Sequence, residues 1–228
     1  MLLNIQDISK TFGTQKIIEK FSLTLQEGEF LSILGSSGCG KTTLLKLVSN
    51  LLKPDSGRID RKYKRLGFVF QDTRLIPWKN TLYNVSVVSD ASKAKMMLSE
   101  VGLMKHHSKY PSELSGGMER RVSLARALSI EPDLILLDEP FGSLDILTRE
   151  DMMKLVLELW QKHNFAAINV THDPYEAAHL STRVLVVGKH FTKTQKQELG
   201  NPLDRNETIN ASIRNKLMRT LKSVLNQG

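Results

Sequence analysis

The chain of 228 residues holds one cysteine, Cys39, so no disulfide can form within it. A small scaffold stapled by disulfides is excluded, and a reducing compartment is expected. No apolar run approaches the ~18–20 residues that cross a bilayer as a helix. The start, MLLNIQDISK, alternates in polarity and carries an Asp and a Lys. It lacks the basic head and apolar stretch of a secretory signal. The expectation is a protein that is neither integral to a membrane nor secreted. Acids are outnumbered by bases, 24 against 32, giving a formal charge of +8. This excess leaves open nucleic acid, an anionic membrane surface or an anionic ligand; by charge alone a solvated lysine-rich surface is the favoured reading. There is no internal repeat and no low-complexity tract.

Hydrophobic periodicity organises the rest. Alternation around Leu3, Ile5 and Ile8, again at 17–25, and the compact run Phe30-Leu31-Ser32-Ile33-Leu34 predict strands over the first third. Leu44, Leu45, Val48 and Leu52 predict a helix over 41–52, stopped by the turn Pro54-Asp55-Ser56-Gly57. Residues 66–70 read as a strand. From Thr73 the pattern turns helical, with Ala94, Met97, Leu98 and Val101 as one stripe closed by Gly102. Ser115 opens a longer helix. Strand 134–137, helix 147–162, strand 166–170, helix 174–180 and strand 184–187 follow. Strands alternating with helices predict an α/β protein with a parallel sheet.

Chemistry concentrates at three places. Gly35-Ser36-Ser37-Gly38-Cys39-Gly40-Lys41-Thr42 satisfies G-x-x-x-x-G-K-[ST] with a strand before it and a helix after it. The glycines let successive N–H groups face an anion, and the helix N-terminus adds positive potential. Lys41 would reach the β- and γ-phosphates, and the Thr42 hydroxyl, with Thr43 beside it, would lie by the Mg²⁺. The plain alternative is a glycine turn with a chance lysine. At the end of the run 134–137, Asp138 and Glu139 stand where ligands of open α/β sheets bind. Asp138 is placed to hold Mg²⁺ and Glu139 to deprotonate an attacking water. An ordinary Asp-Glu-Pro turn is the alternative. Finally, Leu114-Ser115-Gly116-Gly117 precedes an arginine-rich helix and makes a second N-terminus suited to phosphate.

The order of these motifs resembles that of ATP-binding cassette (ABC) ATPases over about residues 2–190. Walker A is 35–42, the Q-loop glutamine Gln71, the signature 114–117, Walker B 134–139, the D-loop Ser143-Leu144-Asp145 and the switch histidine His172. The resemblance implies a P-loop NTPase with a RecA-like parallel-sheet core, an antiparallel β region and a helical insertion at about 73–130. ATP and Mg²⁺ would be the cofactors. Thr42, Gln71 and Asp138 would bind the metal; Lys41, Gln71, Glu139 and His172 would act in hydrolysis. Gly35, Ser36, Ser37, Gly38, Cys39, Gly40 and Thr43 would line the nucleotide. Phe12 sits where the family stacks a ring on adenine, though a lone Phe after a strand is also an ordinary core or turn residue. Ser115, Gly116 and Gly117 would touch ATP bound to a second copy, with Asp145 bridging the copies, so a homodimer is implied.

The stretches around Leu75-Ile76-Pro77-Trp78 and 138–145 are similar to the nitrate/sulfonate/taurine importer group. That resemblance implies separate integral-membrane permease subunits, an extracytoplasmic solute-binding protein and a peripheral place on the cytoplasmic face of the membrane. A cassette acting on nucleic acid or ribosomes is the competing class; such proteins carry two cassettes or a long coiled coil, and neither is present, so no nucleic-acid partner is expected. A small-molecule P-loop kinase would not need the Ser115 element. Residues 191–228 form a basic tail of net charge +4. Ile209, Ile213, Leu217, Leu221 and Leu225 recur in it every four residues. This predicts an amphipathic helix that either packs back on the core or meets the membrane side.

Overall fold

The computed structural model describes residues 1–226. In chain order it runs β1 (Leu3–Phe12), β2 (Gln15–Leu25), β3 (Phe30–Leu34), α1 (Lys41–Val48), β4 (Ser56–Arg61), β5 (Leu66–Val69), α2 (Thr81–Ser86), α3 (Ala91–Glu100), α4 (Gly116–Leu128), β6 (Leu134–Asp138), α5 (Ile146–His163), β7 (Ala166–Thr171), α6 (Pro174–Leu180), β8 (Arg183–Val187), β9 (Thr194–Glu198) and α7 (Glu207–Asn226). The chain divides into two compact units, 1–63 together with 166 onward, and 64–165.

The first unit carries two sheets. In one, β1 lies between β2 and β4, all antiparallel. In the other, β3 is flanked by β7 and β8 in parallel, and β9 adds antiparallel to β8. Every residue of β3, β7 and β8 is buried. Their mostly apolar runs are what a parallel sheet covered on both faces demands. A polar seam runs through this core: Ser181 Oγ donates to Ser32 Oγ at 2.5 Å, and Asn169 Nδ2 donates to the same oxygen at 3.2 Å.

The second unit pairs β5 with β6 in parallel and surrounds them with α2, α3, α4 and α5. Asn80, Asp90, Ser115 and Asp145 each cap a helix by accepting from a backbone N–H in its first turn. Such caps satisfy donors that the helix itself leaves open.

Several boundaries differ from the sequence expectation. Helix α1 ends at Val48, four residues early, because 49–52 turn instead. Ser56 and Gly57, expected only as a turn, already belong to β4. Neither β4 (SGRIDR) nor β9 (TQKQE) alternates in polarity; both are edge strands held by backbone pairing. The C-terminal stripe is rotated. Leu217 and Val224 are buried in one cluster with Leu34, Ala178 and Val186, and Ile213 and Leu221 pack at its margin. Ile209 and Leu225 remain 43% and 40% exposed. A repeat of four overshoots a helical turn by about 40° each time, so its ends leave the buried face. Helix α7 therefore packs back on α6 and β8, the first of the two readings. Residues 227 and 228 of the tail lie outside the described residues.

Candidate active site

In the first unit the phosphate loop leaves the C-terminal end of β3. Gly38 and Gly40 have φ of 77° and 109°, conformations that a side chain would strain. A Cβ on Gly40 would also stand 2.8 Å from Ile17 Cγ2 and 3.2 Å from Ile17 O. Lys41 is 4% exposed, and its ammonium donates to Gly35 O and Ser36 O, both at 2.9 Å. The lysine thus curls back over its own loop and closes it into a ring. Cys39 is buried; a Cβ on Gly35 would meet its Sγ at 3.0 Å, so the thiol packs under the loop rather than facing solvent. Ser37 and Thr42 are exposed on the outer side, with Thr43 half-buried.

The same unit brings His172 beside this loop. Gly35 N donates to Thr171 O at 3.2 Å, and Leu34 pairs with Thr171 in the β3–β7 register. A short relay fixes the turn that carries His172. Asp173 N donates to Thr171 Oγ1 at 3.0 Å, which donates to the buried Glu176 Oε2 at 2.5 Å. Phe12 ends β1 with 47% of its surface exposed, and Lys10 Nζ lies 5.6 Å from its ring centroid.

In the second unit Asp138 is 3% exposed at the end of β6. Glu139 follows with φ of 44°, a left-handed conformation uncommon for a glutamate, and Gly142 N donates to its carbonyl at 3.1 Å. Outliers of this kind collect at functional sites. Ser115 Oγ accepts from Met118 N at 3.3 Å; a Cβ on Gly116 would meet nothing within 4 Å, so the helix end is open there, whereas one on Gly117 would stand 2.7 Å from Thr148 Cγ2. Asp145 caps α5 by accepting from Thr148 N at 3.0 Å; the hydrogen bonds from Thr148 hold its carboxyl below the usual carboxylate range. Gln71 is exposed, in a segment held by Arg120 and Arg126 of α4. Neither arginine was singled out by motif; the only signal was the arginine-rich sequence after Gly117. Glu119, an acid beside the signature, accepts from Thr73 Oγ1 at 3.3 Å.

These residues fit the groups that the motifs imply. A glycine ring with a lysine folded over it matches a polyphosphate. A hydroxyl (Thr42), an amide oxygen (Gln71) and a carboxylate (Asp138) are the hard oxygen donors that Mg²⁺ takes.

The ABC transporter family profile matches residues 18–142, more than half of the chain. The chain belongs to the ABC transporter family. Among curated ABC relatives, it is 42% identical over 193 residues to the aliphatic sulfonates import ATP-binding protein SsuB 1 of Paraburkholderia xenovorans, covering 81% of this chain and 57% of that protein. It is 41% identical to the corresponding protein of Burkholderia ambifaria, covering 89% and 65%. For that of Zymomonas mobilis the identity is 41% and each chain is covered to 82%. The chain thus spans less than two thirds of the length of the first two. Two solved ABC structures share its fold. One is a dimeric post-hydrolysis cassette bound to ADP and Pi (TM-score 0.77, 28% identity, 88% of this chain and 100% of that one). The other is a dimeric bacterial transporter cassette (TM-score 0.78, 29% identity, 88% and 100%).

Proposed function

We propose that the chain is the ATP-hydrolysing subunit of an ABC importer, working as a homodimer on the cytoplasmic face of a membrane with two separate permease subunits. The observation that carries this reading is the pair of anion-seeking helix ends in one chain: the Lys41 ring at α1 and the Ser115-capped end of α4, open at Gly116. A single-copy phosphotransferase needs only the first. The second gains a purpose when another copy presents its nucleotide. Ile146 and Leu147, 73% and 74% exposed beside Asp145, support a surface that a second copy covers.

The residues take the following roles. The 35–41 loop binds the triphosphate, with Lys41 exchanging its carbonyl partners for phosphate oxygens. Phe12 stacks on adenine. Thr42, Gln71 and Asp138 hold Mg²⁺, which when bound neutralises charge on the β- and γ-phosphates. Glu139 orients a water and takes its proton as the water oxygen bonds to the γ-phosphorus and the bond to the bridging oxygen breaks, leaving ADP and phosphate. His172 donates to the γ-phosphate and keeps Glu139 aligned. Ser115, Gly116 and Gly117 contact the γ-phosphate held by the partner copy, and Asp145 bridges the copies.

Among the described residues no helix is long and apolar enough to cross a membrane, so the transport path would lie in other subunits. An extracytoplasmic solute-binding protein would deliver cargo. The relatives named above direct the cargo class to aliphatic sulfonates. The test is Glu139→Gln with purified chain. Hydrolysis should fall by about 100-fold or more, with ATP binding retained. Undiminished hydrolysis refutes the assignment of the base.

A further inference from the structure

Helix α4 holds the Q-loop from behind. Arg120, 9% exposed, turns its guanidinium toward the segment after β5. Its Nη1 donates to Phe70 O at 3.2 Å and to the carbonyl of Gln71, while Nη2 reaches Gly142 O at 3.5 Å. Six residues on, Arg126 donates to Arg74 O at 2.8 Å and to Thr73 O at 2.7 Å. Four of the five carbonyls from 70 to 74 are therefore held by one helix. The rigid planar fork of arginine allows this; a lysine ammonium is a single point with no spacing of its own. Burial lowers the Arg120 pKa, and the nearby charges of Asp72 and Glu119 offset part of that penalty.

The two guanidinium groups differ in reach. Arg126 holds only the Q-loop. Arg120 joins the Gln71 carbonyl to Gly142, three residues past Glu139 and hydrogen-bonded to the Glu139 carbonyl. Its own helix begins at Gly116, so three functional segments meet at one side chain.

We propose that Arg120 is a positioning residue for hydrolysis. It sets the register of Gln71 against the turn after Glu139, and it passes displacement of the signature end of α4 to Gln71 instead of letting the loop absorb it. The inference rests on the role given to Gln71 above.

The experiment is steady-state hydrolysis by the purified full chain carrying Arg120→Ala, Arg120→Lys, Gln71→Ala, or Arg120→Ala with Gln71→Ala. Melting temperature and folded fraction are measured alongside. Arg120→Ala should lower kcat by about 10- to 100-fold. KM for ATP should move less than about threefold, because the nucleotide is held by the Lys41 loop. Arg120→Lys should recover part of the loss. In the Gln71→Ala background, Arg120→Ala should cost less than about twofold more, as expected when one residue acts through the other. The inference is overturned if Arg120→Ala lowers the melting temperature but leaves kcat per folded molecule unchanged, or if the two losses simply multiply. Should Arg120→Ala fail to fold, full turnover by Arg120→Lys overturns it. Normal turnover by Gln71→Ala alone locates the failure in the Gln71 reading, and the inference falls with it.

Discussion

At the phosphate loop single backbone angles decide which residues are tolerated. Gly40 combines φ of 109° with a Cβ position 2.8 Å from Ile17 Cγ2. Gly40→Ala should therefore destabilise by about 1–3 kcal/mol and weaken nucleotide binding, measured by urea unfolding and nucleotide titration. A variant of wild-type stability would show that the loop takes another conformation. This position was legible in the sequence because the motif's spacing and its backbone geometry are one requirement. Glu139 was legible as an acid at a strand end but not as a left-handed residue, since nothing in Asp-Glu-Pro-Phe encodes that φ. Arg120 was illegible: two of its acceptors lie 49 and 50 residues back along the chain and the third 22 residues on, and no local pattern marks so long a reach.

Helices were read where their apolar stripes were long, and strands where alternation or a buried run was present. The stripe at Ala94, Met97 and Leu98 became α3 because those residues are buried in the second unit. Strands β4 and β9 escaped because edge elements depend on partners rather than on patterning. Leu217 of α7 is wholly buried. Leu217→Ala should lower stability by about 2–5 kcal/mol in thermal or urea unfolding; a loss of membrane association at unchanged stability would instead favour the surface role once open for this helix. A second element-scale link joins α3 to the end of α5: Glu100 receives Lys162 Nζ at 3.0 Å and lies 2.6 Å from His163 Nε2. Burial alone would raise the Glu100 pKa, but the hydrogen bonds from His163 and Lys162 outweigh it and hold the carboxyl below its ordinary value. A depressed carboxylate adds stability above its unfolded pKa and loses it as pH falls through the folded one. Glu100→Gln should accordingly cost about 0.2–1 kcal/mol near neutral pH, a cost that fades as pH falls through the depressed carboxylate pKa, which a pH series of unfolding curves would check.

For the whole molecule, the family and the α/β fold were legible because six motifs keep one order, and order is harder to reproduce by chance than any one motif. The charge of +8 was not informative in this way: Lys41 turns inward onto its own loop, while the basic C-terminal segment is largely the outer face of a packed helix. With Glu139→Gln, ATP should convert the chain from monomer to dimer in sedimentation or size-exclusion experiments, and ADP should not; a chain that stays monomeric with bound ATP contradicts the two-copy reading. The first unit also has a consequence for biosynthesis. Its central strand β3 pairs only with strands made much later, and the Ser32–Asn169 hydrogen bond spans 137 residues. Non-local parallel pairing of this kind folds slowly. On the ribosome, Phe30-Leu31-Ser32-Ile33-Leu34 must wait as an uncovered apolar segment until β7 and β8 have emerged, so the chain closes this sheet late in translation and depends on protection from aggregation until then.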